Sequence, residues 1–164
     1  LSWEEAGDKL QLEHRLVVEE IERRITPFCS SLSVAERPES RGHGRVAHLA
    51  TAVSGTLAAR RHILELASTL HPTPAVGGLP TAGALHWISR HEPDPRGWYA
   101  APVGWFDTDG NGELAVALRC ALLKGQEAFV YTGAGIVPGS DPLEEAEEVD
   151  LKERTLLEAL GNPG

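Results

Sequence analysis

The 164-residue sequence predicts an α+β fold, an antiparallel sheet with packed helices, and three observations carry that reading. Apolar residues recur at helical spacing near the N-terminus. Two tight-turn segments, DTDGNG at 107–112 and KGQ at 124–126, join runs that read as strands. A C-terminal run carries both a start and a stop signal for a helix. The resulting order, helix, strand, helix, helix, three strands, helix, is an α+β order without repeats or a linker.

Residues 2–28 read as one helix, because Leu10, Val17, Ile21 and Ile25 recur at three- to four-residue steps with Glu19, Glu20, Arg23 and Arg24 between them. Pro27 ends it, having no amide to give. Residues 30–44 are polar, with one Pro and two Gly, and read as a loop. Residues 45–56 are rich in Val, Ala and Thr and read as a strand, and 57–70 as a short amphipathic helix. The stretch HPTPAVGGLP at 71–80 has three prolines and two glycines and predicts a fixed, extended loop. A helix over 82–91 stops before Pro93. Three strands follow, over 98–106, 113–123 and 128–137, as a meander. The last helix is capped by Ser140 or Asp141, has Pro142 at its favoured first position, and stops at Gly161 and Pro163.

Composition narrows the function classes. Fifteen Lys and Arg against 24 Asp and Glu give a net charge of −9, which argues against a nucleic-acid binder tracking phosphates with a basic patch. No apolar run approaches the ~20 residues of a membrane span. Cys29 and Cys120 form no CxxC pair, so neither a disulfide framework nor a thiolate zinc site is expected. A cytoplasmic globular chain is the expectation. Its lack of any Met, with Leu first, predicts a piece cut from something longer.

Several motifs need weighing against plainer readings. Asp107 to Gly112 imitates a calcium loop, but the twelfth position is Leu118 rather than Glu, so a hairpin turn is the better reading. Gly133-Ala134-Gly135 lacks the βαβ context of a dinucleotide fingerprint, and its small residues instead let a ligand or another backbone approach the strand end. His48 sits among Val and Ala in a strand, where a satisfied core histidine competes with a catalytic one. Glu13 lies on the apolar stripe of the first helix between Leu10 and Val17. A carboxylate there is paired, protonated, metal-bound, or on a stripe still exposed at the helix end. Glu145, Glu148 and Lys152 fall on one line of the last helix, which alone reads as a solvated charged face. Arg119 interrupts the run AVALRCALL in a central strand, where a guanidinium needs a carboxylate or an anionic ligand.

These signals coincide in one pattern. The segments HPTPAVGGLP, EPDPRGWYAAPVGWFDTDGNGELAVALRCALL and YTGAGIVPGSDPLEEAEEVDLK resemble the C-terminal part of isochorismate synthases. Those belong to the chorismate-utilising enzymes, with the anthranilate, aminodeoxychorismate and salicylate synthases. The likeness runs over about residues 8–160, and its HPTPAVGG loop resembles the isochorismate branch. It implies the C-terminal portion of the α/β fold typified by anthranilate synthase component I, with residues 1–164 as part of a catalytic domain whose N-terminal part is absent.

The resemblance also implies roles for residues. Family members hold magnesium between two carboxylates, and the metal grips a carboxylate of chorismate. Glu13, in Glu13-His14, matches the first of these and Glu148 the second, with Glu145 one turn away as a further ligand or through water. Lys152 and Arg119 match positions that bind substrate carboxylates, and Tyr99, Val76 and Gly77 match pocket residues. Gly133 and Gly135 match the strand whose backbone faces the ligand, and His48 a histidine near the reacting ring.

Two departures stand out. Where the family reads Lys-Asp-x-x-Glu-His, this chain has Lys9-Leu10-Gln11-Leu12-Glu13-His14, so an acidic position is Leu10 and weaker magnesium affinity is expected. The family's water-activating lysine and its acid glutamate match no residue here, since the lysines are only Lys9, Lys124 and Lys152. The expectation is a piece of an isochorismate synthase of menaquinone or siderophore synthesis, without turnover alone, that self-associates through an uncovered apolar face. Rival readings are a salicylate synthase and a non-catalytic binding module.

Overall fold

The computed structural model describes residues 7–43 and 46–161. The expected helix start at Ser2, the residues 44–45 at the expected strand start, and Pro163 lie outside them. Helix α1 runs Asp8–Ile25, with Asp8 in its first turn and Arg23 and Arg24 in its last, the charge order the helix dipole favours. A 3₁₀ turn, Thr26–Phe28, carries Pro27 and turns the chain into β1, Cys29–Val34.

The polar stretch expected to be a loop is instead strand. β1 pairs antiparallel with β4, Val53–Leu57, and inside that pair β2, Glu39–His43, pairs with β3, Val46–Ala50. The two ladders form one long interrupted hairpin, bridged by Ala35 N–H donating to Ala52 C=O at 2.9 Å. Its outer strand reads Ser30, Ser31 and Ser33 on largely exposed positions, which is why polarity there was no sign of a loop. The strand expected over 45–56 is thus two strands broken at Thr51 and Ala52.

Helix α2 begins only at Ile63 and ends at Leu70, since Leu57 still belongs to β4. His62 caps it, Nδ1 accepting from Leu64 N–H at 3.1 Å. Ile63 N–H donates to Gly110 C=O at 2.9 Å, which pins the helix start to the turn at 107–111. The segment 71–80 holds a single helical turn, α3 (Pro74–Gly77), where a wholly extended loop was expected. Pro74 suits the first position of that turn, and Gly78 ends it at φ 68°. Helix α4 is Thr81–His91.

Four strands rather than three follow. β5, Pro102–Phe106, pairs with β6, Gly112–Val116, and β7, Cys120–Lys124, with β8, Glu127–Tyr131. The expected strand 113–123 breaks because Arg119 takes φ 48°, a left-handed conformation no strand continues through. The turn after β5 is built on Asp107, whose Oδ1 accepts from the N–H groups of Asp109 and Asn111, each at 2.9 Å. Helix α5, Pro142–Ala159, is capped by Asp141, whose Oδ1 accepts from Leu143 N–H at 2.8 Å and Glu144 N–H at 3.2 Å. Gly161, at φ 84°, ends it.

The interior is thin. Among the described residues Ala100 is the buried hydrophobic residue and Glu145 the buried charged one. Trp98, Ile136, Leu143 and Leu123 are 65% or more exposed. Polar clamps therefore tie the elements together. Arg24 of α1 donates from Nη1 to the carbonyls of Leu70 (3.2 Å) and Pro72 (3.0 Å) and from Nη2 to Thr81 Oγ1 (3.1 Å). Its Nε holds Glu20 Oε1 at 2.7 Å. Arg96 holds Glu92 through two bonds and donates to Val76 C=O at 2.6 Å.

The Glu20 clamp has a pH signature. Hydrogen bonds from Arg23 and Arg24 lower the Glu20 carboxyl from 4.5 to about 2. A depressed folded-state pKa contributes stability above the unfolded value and loses it as pH falls, here between about 4.5 and about 2. Arg24→Met is expected to destabilise the chain by about 1–3 kcal/mol at neutral pH, since it takes the donor from the Leu70 and Pro72 carbonyls while Arg23 still holds Glu20. Chemical denaturation across pH 2–6 should also show a shallower acid loss in the variant.

Candidate functional site

Helices α1 and α5 bring their acidic turns together. On α1, Lys9 and Glu13 are one turn apart, with Lys9 Nζ 3.8 Å from Glu13 Oε1. The same ammonium touches Glu145 on the first turns of α5. Glu145 is 6% exposed, and neither of its oxygens meets regular hydrogen-bond geometry with a described residue. One turn on, Glu148 Oε1 pairs with Lys152 Nζ at 2.5 Å. The line of Glu145, Glu148 and Lys152 is therefore not merely a solvated face. Glu145 and Lys152 turn into the fold while Glu148 stays exposed between them.

Electrostatics follow from this crowding. Burial, then the like charges of Glu148 and Glu145, outweigh the nearby Lys9 and raise the Glu13 carboxyl above its ordinary value. Contact with Lys9, then with the Ser140 hydroxyl, lowers that of Glu145 despite its burial. Lys9 is raised in turn, chiefly by Glu145. Three carboxylates thus share one ammonium on one side and Lys152 on the other.

The strand end after β8 forms the other wall. Lys152 Nζ donates to Gly133 C=O at 2.9 Å, so the lysine spans from Glu148 to bare backbone. A Cβ at Gly133 would sit 2.7 Å from Tyr99 Oη, and one at Gly135 would sit 3.0 Å from Glu13 Oε2. The bare Gly133 backbone leaves room for the Tyr99 hydroxyl, and Gly135 for the Glu13 carboxylate. Tyr99 stacks on Tyr131, ring centroids 5.8 Å apart, and burial raises its hydroxyl pKa. Arg96 lies 5.7 Å over the Tyr99 ring and also holds Val76 C=O. Val76 and Tyr99 line one cavity of about 210 Å³, and Gly77 is buried beside it against Pro72.

Arg119 does not sit in a central strand, and its guanidinium has no carboxylate among its recorded partners. It is half-buried between β6 and β7, and Nη2 donates to His48 Nε2 at 2.5 Å. His48 is exposed on β3 rather than a core residue. Accepting at Nε2 leaves the ring proton on Nδ1, so the pair fixes the imidazole tautomer. The residues expected from sequence thus fall into a connected set, Glu13, Glu145, Glu148, Lys152, Gly133, Gly135, Tyr99 and Val76, and an Arg119–His48 pair. Lys9 and Arg96 were not among the expected residues. Only the i, i+4 spacing of Lys9 to Glu13 signalled the first.

The carboxylate set suits a hard divalent cation. A buried carboxylate without regular hydrogen bonds lies beside a second carboxyl raised first by its own burial and then by the like charges of Glu148 and Glu145. The described residues contain no ready cluster of three or more His, Cys, Asp or Glu ligands, so Glu13, Glu145 and Glu148 do not close into a finished shell. Magnesium asks for less, one or two carboxylates with water and ligand oxygens.

Comparison with known proteins identifies the setting. The sequence profile of a family described as chorismate binding enzyme matches residues 6–161. The chain belongs to the chorismate-binding enzymes. The salicylate biosynthesis isochorismate synthase of Pseudomonas aeruginosa is 45% identical over 152 residues, covering 93% of this chain and 32% of that protein. The isochorismate synthase MenF of Bacillus subtilis is 42% identical over 94% of this chain and 33% of its own length. The solved structure of DhbC from Bacillus anthracis matches at a TM-score of 0.91 and 39% identity, covering 95% of this chain and 42% of that one. The chain therefore spans about a third of the length of these curated relatives. Among the described residues no helix is long and apolar enough to cross a membrane.

The close packing at Gly133 can be tested on its own. Gly133→Ala drives a methyl into Tyr99 Oη and is expected to destabilise by about 1–3 kcal/mol, the usual range for overpacking. Adding Tyr99→Phe, which removes the opposing oxygen, should recover most of the loss in chemical denaturation.

Proposed function

We propose that this chain is the C-terminal part of an isochorismate synthase, in which water adds at C2 of chorismate while the C4 hydroxyl departs. The observation that supports it best is the α1–α5 junction, where a surplus of carboxylate faces Lys152 and the bare backbone of Gly133. Glu13 and Glu148 would hold magnesium, with Glu145 behind them, directly or through water. When bound, the metal supplies a positive charge that grips a substrate carboxylate, letting an acidic protein take an acidic ligand. Lys152, fixed at both Glu148 and Gly133, offers an ammonium to that dianion. Arg119 offers a planar guanidinium suited to a second carboxylate, and a ligand taking it would release His48. Tyr99 and Val76 shape the apolar wall against the ring.

None of the three lysines stands free as a general base over this site. Lys9 is paired with Glu145, Lys152 with Glu148 and Gly133, and Lys124 lies at the exposed hairpin end of β7. A base must reach the proton it takes. The 164-residue chain is therefore expected to bind chorismate in a magnesium-dependent way without turning it over. Calorimetry should show that binding weakened at least tenfold in Glu148→Gln, about 1.4 kcal/mol or more. Isochorismate formed above a buffer-plus-magnesium control, or Glu148→Gln binding as well as the parent, would contradict the reading.

The exposed apolar residues suggest that the remainder of such an enzyme covers this surface. The chain on its own is expected to self-associate through it. Light scattering that stays strictly monomeric at high concentration would count against this.

A further inference from the structure

The place between α1 and α5 already contains a cation. Lys9 reaches from the first turn of α1, its ammonium touching the buried Glu145 carboxylate and lying 3.8 Å from Glu13. Building on the magnesium reading above, we propose that Lys9 is a resident stand-in for the divalent ion, so that the Lys9–Glu145 ion pair and metal binding exclude one another.

Charge and geometry both lead there. Glu145 is 6% exposed and neither oxygen makes a regular hydrogen bond, so with the Ser140 hydroxyl as its other contact its charged form depends chiefly on a cation. Lys9 supplies a single charge to a neighbourhood of Glu13, Glu145 and Glu148, whereas a divalent ion neutralises more of it. A second cation brought against the same carboxylates is repelled by the first. The one on a flexible four-carbon stem is the one able to leave. Lys9 is 30% exposed, so its ammonium can swing to water while the stem stays on the helix surface. The other lysine of the site, Lys152, is tied at both Glu148 and Gly133 and does not have that freedom.

The ion pair then does two jobs. It keeps the α1–α5 junction closed without metal, and it sets a threshold that the metal must exceed, since each bound cation weakens the hold on the other.

Two measurements test this without reference to turnover. Lys9, Lys124 and Lys152 are the only lysines, so acylation by a succinimidyl ester can be followed at each by mass spectrometry. In the parent chain, adding magnesium should speed Lys9 acylation several-fold and leave the exposed Lys124 unchanged. In calorimetry, Lys9→Met should bind magnesium about tenfold more tightly than the parent, the scale of a typical coupling between two sites. Its melting temperature in chelator should fall below the parent's and recover on adding magnesium. If the parent binds magnesium in a Glu148-dependent way but Lys9 acylation does not respond and Lys9→Met binds no tighter, the stand-in role is overturned and the metal reading stands. If the parent binds no magnesium, both are overturned. Should Lys9→Met not fold, the acylation of the parent chain decides alone.

Discussion

Glu145 is the constraint around which this chain is arranged. A carboxylate taken out of water must be met by a cation or protonated, and removing its partner costs about 3–5 kcal/mol in a typical buried pair. No residue of its own helix meets it. The cation comes from Lys9, at the other end of the sequence, so satisfying one charge joins the first helix to the last. With Ala100 as the buried hydrophobic residue among those described, apolar packing offers little to compete with this and the Arg24 and Arg96 clamps. Polar contacts therefore link the elements at this junction.

That arrangement explains why the site has two differently charged walls. Carboxylates from two helices gather at one side because each helix brings its acidic turn to the junction. On the other side two glycines bring backbone and Tyr99 close enough for Lys152 to bridge them. On the proposed reading, the carboxylates offer a place for a cation and Lys152 an ammonium beside it. On that reading, a ligand with two carboxylates suits the combination better than a neutral one does.

Long periodic elements were legible in the sequence. α1, α4 and α5 carry their apolar spacing or their caps in plain view, and the turns at 107–112 and 124–126 place two hairpins correctly. The β1–β4 hairpin was not, because its serines lie on exposed strand positions where polarity and strand agree. The break at Arg119 was also hidden, since a left-handed φ at a non-glycine is decided by its surroundings and not by its own preference. Of the site, the helix spacing gave Glu145, Glu148 and Lys152 as a line, and family resemblance gave their roles. Lys9 was read as part of a motif rather than as a partner, because a contact between residues 136 positions apart leaves no periodic trace.

The central claim, that α1 and α5 hold a divalent cation against the strand end after β8, is tested most directly by paramagnetic broadening. Manganese added to isotopically labelled chain should broaden the amide signals of Gly133, Gly135 and the first turns of α5, reversibly with chelator. Broadening centred instead on the Asp107–Asp109 turn, or none at all, would contradict it.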